Sequence, residues 1–356
     1  MPQTAPLRQP NLPLDAAAVL SWYDRHARDL PWRIGPAGRA AGLAPDPYRV
    51  WLSEVMLQQT TVAAVGRYFA RFTSLWPTVA DLAAAPLEAV LVEWAGLGYY
   101  ARARNLHACA RAVVERHGGV FPRTAAELRA LPGIGAYTSA AIAAITADEQ
   151  VAVLDGNVER VLARYLALPV PVDRAKDDLR AILQESVPPR AGDFAQAMMD
   201  LGATVCAPRA TLCMLCPLQP GCVATHAGRP LDFPVKAEKK ERPVRYGHAF
   251  VISDADGDVY LQARAEKGLL ARMTETPGSA WTDQPHPPEF PLAGPWRQAG
   301  RVVHVFTHFR LELDVWTLAG ASGEDLSGGW WADPRALGRE ALPSLFRKVL
   351  AAAGFD

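Results

Sequence analysis

A tight turn followed by an unbroken apolar run constrains the middle of this chain more than any other feature. The turn occupies residues 131–135, and residues 140–145 are all alanine or isoleucine, which leaves no polar face on the helix that follows. Gly133 and Gly135 supply unusual backbone angles and let another backbone approach closely. Amides at a helix N-terminus favour an anion such as a phosphate. The pattern predicts a helical hairpin over residues 124–148, although a plain helix-turn-helix packing element fits it equally well.

The length and charge of the chain indicate the broad class of protein to which it belongs. The chain has 356 residues, of which 50% are hydrophobic, so two domains with full-sized cores are expected. Lys+Arg and Asp+Glu are balanced at 37 each, so a nucleic-acid partner would need a local basic face. No apolar run approaches the roughly 20 residues that span a bilayer, and the N-terminus has no basic-flanked apolar segment. We expect a cytosolic monomer that makes no membrane contact.

A single carboxylate stands in a strongly apolar helical segment, residues 47–62. On a helix, Glu54 shares one face with Val50 and Trp51. Burial there would raise the pKa of the carboxyl and keep a proton available near neutral pH. The plain alternative is a helix carboxylate that points at water. The polar residues 58–61 follow directly and suit contacts to base edges and phosphates, which favours the functional interpretation.

Two aromatics follow a glycine turn at residues 96–100, and two arginines come next. The pattern fits an aromatic wedge that enters a base stack while Arg102 and Arg104 neutralise phosphates. A helix start with a core tyrosine fits it equally well.

Four of the five cysteines form the pattern Cys206-x6-Cys213-x2-Cys216-x5-Cys222. Four thiolates can hold either a tetrahedral zinc ion or an iron–sulfur cluster, and the spacing alone does not decide between them. Disulfides are disfavoured in a cytosolic enzyme. The remaining Cys109 is most simply a buried core thiol.

The periodicity of apolar residues changes along the chain, which predicts two domains of different fold class. We expect a disordered lead at 1–13, with a tolerated insertion at 34–46 inside the first domain. The predicted segments after the lead are a helical domain at 14–205, a cysteine loop at 206–223, a mixed-charge linker at 224–245 and an α+β domain at 246–356.

Several stretches resemble the A/G-specific adenine DNA glycosylases of the MutY type. They are the sequences WLSEVMLQQTTV from Trp51, GLGYYARARN from Gly96, the hairpin with LDGN, FAQAMMDLG from Phe194, and the cysteine loop. The resemblance implies an all-α helix-hairpin-helix glycosylase domain with a [4Fe-4S] loop, followed by a smaller α+β Nudix-like domain. It also implies a DNA substrate that carries adenine opposite 8-oxoguanine or guanine.

The resemblance implies a role for each matching residue. Glu54 is the acid that protonates the leaving adenine, Asp155 stabilises the charged sugar, and Tyr137 and Asn157 position that aspartate and the incoming water. The residues implied at the adenine pocket are Trp32, Arg33, Leu57 and Gln196. The residues implied to contact DNA are Gln58, Gln59, Thr60, Leu97, Tyr99, Gly133 and Gly135. The implied cluster ligands are Cys206, Cys213, Cys216 and Cys222. Ala195 departs from the family's asparagine, so a supporting contact is lost.

The C-terminal region resembles the Nudix-like domain of the same family through residues 267–273 and 305–309. A Phe-Ser-His loop reads 8-oxoguanine in that family, and this chain has Phe306, Thr307 and His308. The glutamate-rich REx2EE metal motif is missing, so pyrophosphate hydrolysis is not expected.

Three rival functions share part of this sequence pattern. A pyrimidine-specific glycosylase/lyase of the endonuclease III type would place a lysine where this chain has Tyr137, and no lysine precedes Lys176. A Schiff base needs a nucleophilic amine, so base removal by hydrolysis is the expected reaction. A catalytically silent damage reader would be favoured if Glu54 or Asp155 were missing. A Nudix hydrolase is disfavoured by the missing metal motif. The sequence identifies no protein partner.

Overall fold

The computed structural model describes residues 12–236, 241–322 and 326–355. The chain divides into two compact units, Met1–Ala84 with Ala108–Glu238, and Ala85–His107 with Lys239–Asp356. The predicted disordered lead and the predicted linker both lie partly outside the described residues.

Helices form the first unit and begin the second. They are α1 (Ala16–His26), α2 (Pro36–Ala40), α3 (Pro47–Leu57), α4 (Val62–Leu75), α5 (Val79–Ala84), α6 (Leu87–Trp94), α7 (Ala101–His117), α8 (Ala125–Leu128), α9 (Ala136–Ala147), α10 (Gly156–Tyr165), α11 (Lys176–Gln184), α12 (Ala191–Asp200) and α13 (Val223–His226). The predicted all-α class of this region is confirmed. No helix in the described ranges is both long enough and apolar enough to cross a bilayer.

Short polar side chains begin five of these helices, and at α1 the Asp15 carboxylate accepts from the Ala18 N–H at 2.9 Å. Asp46, Thr61, Thr124 and Asp155 each accept a hydrogen bond from a backbone N–H in the first turn of α3, α4, α8 and α10. These bonds satisfy donors that a helix N-terminus leaves unpaired. Thr124 and Glu127 form a modified capping box, because the Thr124 hydroxyl donates directly to the Glu127 carboxylate at 2.7 Å.

Residues 34–46, predicted to be an inserted loop, contain a helix. Pro36 begins α2, and proline fits the first helical turn because that N–H would be unpaired anyway. Arg39 on this helix forms an ion pair with Asp148 and donates to the Ile145 carbonyl at 3.0 Å. The insertion is therefore fixed to the C-terminal end of α9.

The apolar helix predicted after the hairpin turn is α9, and its residues 138–145 are all buried. Helix α12 lies directly against it, since a Cβ at Gly192 would stand 2.6 Å from the Ala144 carbonyl oxygen. Glycine therefore lets the two backbones approach. Helix α12 is buried along its whole length and runs into a π-helical turn, Leu201–Val205, which leads to Cys206.

A buried carboxylate at the end of α12 holds the segment after α1. Asp200 is 0% exposed. It accepts hydrogen bonds from the Arg28 backbone N–H at 3.0 Å, from Arg28 Nε at 2.6 Å, and from Arg33 Nη1 at 2.8 Å to both carboxylate oxygens. Charge-assisted bonds of this kind compensate for taking the charge out of water. They fix the Arg33 side chain in the interior, close to Glu54.

The second unit is built on a six-stranded mixed sheet. Its strands are β1 (Val244–Ser253), β2 (Val259–Ala263), β3 (Thr274–Glu275), β4 (Arg297–Val305), β5 (Arg310–Ala319) and β6 (Gly329–Ala332). The order is β3-β2-β1-β5-β4, and β6 pairs with β2. Strands β1 and β5 run parallel along their whole lengths, while the other neighbours are antiparallel.

A terminal helix, α14 (Ser344–Ala352), covers the core of this unit. Val251, Leu261 and Leu313 of the sheet are buried in one cluster with Leu345 and Val349 of the helix. Burial of alternate strand residues under one helix is typical of an α+β domain. The predicted α+β class of this region is confirmed.

We expect Asp200→Ala to lower the free energy of unfolding of the first unit by about 3–5 kcal/mol, because the buried Arg33 and the partly exposed Arg28 would lose their carboxylate partner. Urea unfolding followed by far-UV circular dichroism measures the change. Asp177→Ala is the matched control, since Asp177 forms an exposed ion pair with Arg180 and its loss should leave the transition in place. Equal transitions for both variants would contradict the role given to Asp200.

Candidate active site and nucleic-acid interface

A glutamate and a tyrosine meet in the interior of the first unit. Glu54 on α3 is 6% exposed, as its apolar neighbours predict. Helix α9 places the Tyr137 hydroxyl 2.6 Å from Glu54 Oε2, to which it donates a hydrogen bond. The hairpin predicted to bind DNA backbone therefore also supplies the hydrogen-bond partner of the buried carboxyl.

The surroundings of Glu54 favour its protonated form. Burial raises the pKa of the Glu54 carboxyl, while the hydrogen bond from Tyr137 and the charge of Arg33 lower it and Asp155 raises it further. Burial also raises the pKa of Tyr137 well above its usual value, and Glu54 and Asp155 add to the increase. The pair therefore consists of a neutral phenol and a carboxyl that retains a proton to higher pH than an exposed glutamate does.

The second carboxylate lies at the start of α10. Asp155 Oδ1 accepts hydrogen bonds from the backbone N–H groups of Asn157 at 3.0 Å and Val158 at 2.8 Å. The Asn157 side-chain amide donates to Asp155 Oδ2 at 2.8 Å. Because the carboxylate is held at a helix N-terminus, its charge also interacts favourably with the helix dipole. Asp155 and Asn157 are thus brought together as the sequence predicts.

The four residues predicted at the adenine pocket differ in their surroundings. Trp32 is buried with its ring edge-on to Phe69 at 5.3 Å. Arg33 lies close enough to Glu54 for its charge to lower the pKa of that carboxyl. Leu57 is half-buried at the end of α3. Gln196 is 1% exposed and donates to a carbonyl of its own helix. Contact with a base stays a prediction for all four.

The polar segment after α3 forms a tight turn. Gln59 has φ +57°, in the left-handed region that residues other than glycine rarely adopt, and its side chain is exposed. Thr60 closes the turn through its N–H to the Leu57 carbonyl at 3.2 Å. Gln58 donates to Thr138 Oγ1 on α9 at 3.2 Å. The turn therefore presents Gln59 outward while Gln58 ties it to the hairpin.

The two glycines of the hairpin turn have different backbones. Gly133 has φ +72°, the left-handed conformation that the turn requires. Gly135 has φ −91° and ψ −179°, which is extended backbone that any residue adopts. The prediction that both glycines supply unusual angles is therefore wrong for Gly135. A Cβ there would meet nothing within 4 Å among the described residues, so the space beside Gly135 is open.

The predicted wedge lies in the second unit. Tyr99 has φ +48° and is 51% exposed, whereas Leu97 is 7% exposed. Contrary to the prediction that Arg102 neutralises phosphates, its side chain is buried. Its guanidinium lies 5.2 Å from the Trp94 ring centre and donates to the Leu97 and Gly98 carbonyls at 3.2 Å. Arg102 therefore fixes the turn from inside, and burial lowers its pKa to about 10.

The residues predicted to read 8-oxoguanine form a turn between β4 and β5. The Phe306 N–H donates to the Phe309 carbonyl at 2.9 Å, which closes the turn. Thr307 and His308 are exposed at its tip, while Phe306 and Phe309 face the protein. The Thr307 hydroxyl lies 3.3 Å from the Tyr99 hydroxyl, so this turn and the predicted wedge make contact.

The four loop cysteines lie near one another. Burial raises the pKa of Cys216 to about 12, and the thiols of Cys206, Cys222 and Cys213 add to the increase. In the described part of the chain, no three His, Cys, Asp or Glu side chains are grouped as ligands of a single metal ion. A [4Fe-4S] cluster does not require such a grouping, because each cysteine binds a different iron atom.

Two arginines of α10, which sequence reasoning missed, join the cysteine loop to the site. Arg164 is 2% exposed and donates to the Cys206 sulfur at 3.2 Å, and none of the described carboxylates pairs with it. A buried cation of this kind suits a thiolate partner. Arg160 donates to the Asn157 side-chain oxygen at 2.9 Å and to the Cys206 carbonyl at 2.9 Å. Only their spacing of four residues on one helix face could have indicated a shared role.

Two family models match the chain. The model described as HhH-GPD superfamily base excision DNA repair protein matches residues 52–189, which include α3, the hairpin and α10. The model described as NUDIX domain matches residues 248–352. The two-part fold expected from the sequence is thereby confirmed.

The chain is also similar to curated and solved proteins. It is 38% identical to the human adenine DNA glycosylase over 85% of this chain and 66% of that protein. It is 36% identical to the rat adenine DNA glycosylase over 93% of this chain and 76% of that protein. The structure of a thermostable thymine-DNA glycosylase matches with a TM-score of 0.52 and 27% identity, covering 60% of this chain and 95% of that one.

We expect Tyr137→Phe to raise the pKa of Glu54, because it removes a hydrogen bond that favours the charged carboxylate. A pH titration by carbon NMR of protein labelled at the glutamate carboxyl measures the pKa, and the resonance missing from Glu54→Gln identifies the group. Tyr48→Phe is the matched control, since it removes a buried hydroxyl on the same helix that donates to the Trp76 carbonyl. An unchanged or lowered pKa in Tyr137→Phe would contradict the prediction.

Proposed function

The chain belongs to the adenine DNA glycosylase family of base excision repair, and from that premise we propose that it removes adenine opposite 8-oxoguanine or guanine by hydrolysis alone. The buried Glu54 carboxyl, with its hydrogen bond from Tyr137 and its proximity to Asp155, carries the proposal. Cleavage of an N-glycosidic bond needs an acid for the leaving base and a negative charge near the sugar. These residues supply both.

In the proposed reaction the adenine leaves the base stack before any bond breaks, because its glycosidic bond is inaccessible inside a duplex. Glu54 gives its proton to a ring nitrogen of the base, N7. The bond between N9 and the sugar carbon C1′ then breaks, and its electron pair stays with the base. The raised pKa of Glu54 supports this step, since a glutamate with an ordinary pKa would have lost its proton near pH 7.

Loss of the base leaves positive charge on the sugar, which Asp155 stabilises. Water adds to C1′ and one of its protons restores the Glu54 carboxyl, so the products are free adenine and an abasic sugar. Asn157 supports this assignment because its amide and backbone N–H groups orient both oxygens of Asp155. An acid for the leaving group and a second carboxyl group beside the sugar follow the logic of glycosidases.

We propose hydrolysis rather than lyase chemistry because a tyrosine occupies position 137. The first lysine of the chain is Lys176. Its ammonium lies 3.2 Å from a Glu159 oxygen and 3.4 Å from an Asp173 oxygen. The hydrogen bond with Glu159 raises the pKa of this lysine and keeps it protonated. A Schiff base requires an unprotonated amine, so Lys176 is unsuited to form one.

We propose that Cys206, Cys213, Cys216 and Cys222 hold a [4Fe-4S] cluster. The thiols lie near one another, and the Arg164 guanidinium at the Cys206 sulfur suits a thiolate. When bound, the cluster would cross-link four points of a loop that contains only short turns of helix. The loop's hydrogen bonds to Arg160 and Arg164 support a structural role next to α10.

We propose that Thr307 and His308 contact the base opposite the adenine. Both side chains are exposed at the tip of the turn between β4 and β5. Threonine retains the hydroxyl that the family's serine carries, and its added methyl group tightens the space around a bound base. Tyr99, the turn at Gln59 and the open N-terminus of α9 at Gly135 are the proposed contacts to the rest of the duplex.

We expect the purified protein to remove adenine opposite 8-oxoguanine and guanine, with strand breaks that appear only after alkali. A single-turnover assay on four duplexes measures this, using adenine opposite 8-oxoguanine, guanine or thymine, and an oxidised pyrimidine. Adenine opposite thymine is the control and should remain intact. Breaks at the oxidised pyrimidine without alkali would instead indicate a glycosylase/lyase and contradict the argument from Tyr137.

We expect Glu54→Gln to reduce the single-turnover rate by about 10²–10⁴-fold, the usual contribution of a general acid, while duplex binding is retained. The wild-type rate should fall as pH rises through the raised pKa of Glu54, because only the protonated carboxyl donates. Glu115→Gln, which changes an exposed glutamate of α7, is the control. Loss of binding together with activity would show that Glu54 is structural.

A further inference from the structure

The turn that carries Thr307 and His308 depends on rings from outside its own hairpin. Phe306 lies under the turn with its ring 4.9 Å from that of Phe309 and 4.6 Å from that of His304, and all three belong to the β4–β5 hairpin. Trp281 comes from the irregular segment after β3. Its ring stacks on Phe306 at 5.8 Å and 29°, and lies 6.2 Å from Phe309.

Trp281 is itself held firmly on the sheet. The next residue, Thr282, exchanges two backbone hydrogen bonds with Tyr246 of β1, at 2.8 and 2.9 Å. Gly247 makes room for the indole, because a Cβ there would lie 2.9 Å from a Trp281 ring carbon. The indole is therefore held on the β1 backbone by contacts that lie outside the turn.

A cation covers the indole. The Arg264 guanidinium lies 5.0 Å from the Trp281 ring centre, within the range of a cation–π interaction. Arg264 is in turn held by an ion pair with Glu275 and by a hydrogen bond to the Leu269 carbonyl at 3.2 Å. Phe306 is therefore packed on the Trp281 indole, and the indole is packed on Arg264, which its ion pair with Glu275 holds in place.

We infer that Trp281 is a specificity-determining positioning residue, which fixes the Phe306–Phe309 turn so that Thr307 and His308 meet the base opposite the adenine. The inference rests on the proposed function. 8-Oxoguanine and guanine differ only at their Hoogsteen edge, so discrimination depends on one or two hydrogen bonds whose strength falls steeply with misalignment. Without the Trp281 ring, the turn would be less ordered and would form those hydrogen bonds less often. Binding would also be weakened by the conformational entropy lost when the turn becomes ordered.

The test compares Trp281→Leu with wild type in the full-length protein. Leucine keeps apolar volume but removes the ring that stacks on Phe306. Dissociation constants are measured for two duplexes that carry a non-hydrolysable deoxyadenosine analogue opposite 8-oxoguanine or opposite guanine. We expect the preference for 8-oxoguanine to fall about tenfold, the equivalent of one well-formed hydrogen bond of about 1.4 kcal/mol. The rate of adenine removal opposite guanine at saturating enzyme should not change.

Two further variants separate positioning from general damage to the domain. Trp281→Phe keeps an aromatic ring against Phe306 and should restore most of the preference. Trp296→Leu is the matched control, because it removes a tryptophan from the same segment whose ring packs on Phe250 and Phe290 instead. Its preference for 8-oxoguanine should equal that of wild type, and thermal unfolding verifies that all three variants are folded.

The outcomes distinguish this inference from the proposed function. A wild-type preference that survives intact in Trp281→Leu overturns the role of Trp281 alone. An equal loss of preference in Trp296→Leu also overturns it, because the effect would then belong to the whole segment. A wild-type protein that binds the two duplexes equally overturns the proposed reading of 8-oxoguanine and this inference together.

Discussion

The burial of a single carboxyl, that of Glu54, is the constraint on which the first unit depends. A buried carboxylate is costly, so the group stays neutral unless a partner compensates its charge. Tyr137 donates one hydrogen bond to it, and Arg33 lies close enough to favour the charged form. The charge of Arg33 is itself taken up by both oxygens of Asp200. The ion pair between Arg33 and Asp200 therefore limits how far the guanidinium can draw the proton away from Glu54.

Close approaches between backbones set the distances around that carboxyl. Gly192 lets α12 lie against α9, the helix that carries Tyr137. Gly202 does the same at the start of α10, where a Cβ would stand 2.7 Å from the Asn157 side chain. The π-helical turn at Leu201–Val205 brings this glycine to that position. Both carboxyl groups of the site are thus positioned by glycines on one continuous helical segment, which a larger residue at either place would push apart.

Features that depend on neighbouring residues could be predicted from the sequence. The buried α9 and the desolvation of Glu54 both follow from apolar spacing, which acts within one or two helical turns. Gly135 was misjudged because its conformation depends on where α9 begins. Arg102 was misjudged because the carbonyls it binds become acceptors only once the turn at residues 96–100 has folded.

Contacts between distant segments could not be predicted at all. The α2 helix is stabilised by Arg39 through an ion pair with Asp148, more than a hundred residues away. Arg160 and Arg164 look like ordinary helix-surface arginines, and only the folded cysteine loop provides the carbonyls and the sulfur that they bind. Trp281 lies in a segment without periodicity, so nothing in the sequence links it to Phe306.

Thr307 shows why base recognition by the second unit depends more on where its hydrogen-bonding groups are held than on how strong each hydrogen bond is. Its hydroxyl lies within hydrogen-bond distance of the Tyr99 hydroxyl in the free protein. Where that hydroxyl turns from Tyr99 to a base, it exchanges one partner for another, and a net hydrogen bond contributes only about 0.5–1.5 kcal/mol. The exchange favours one base over another only if the turn already holds the oxygen where that base offers its edge. A rigid aromatic support under an otherwise exposed turn meets this requirement without any further contact to the base.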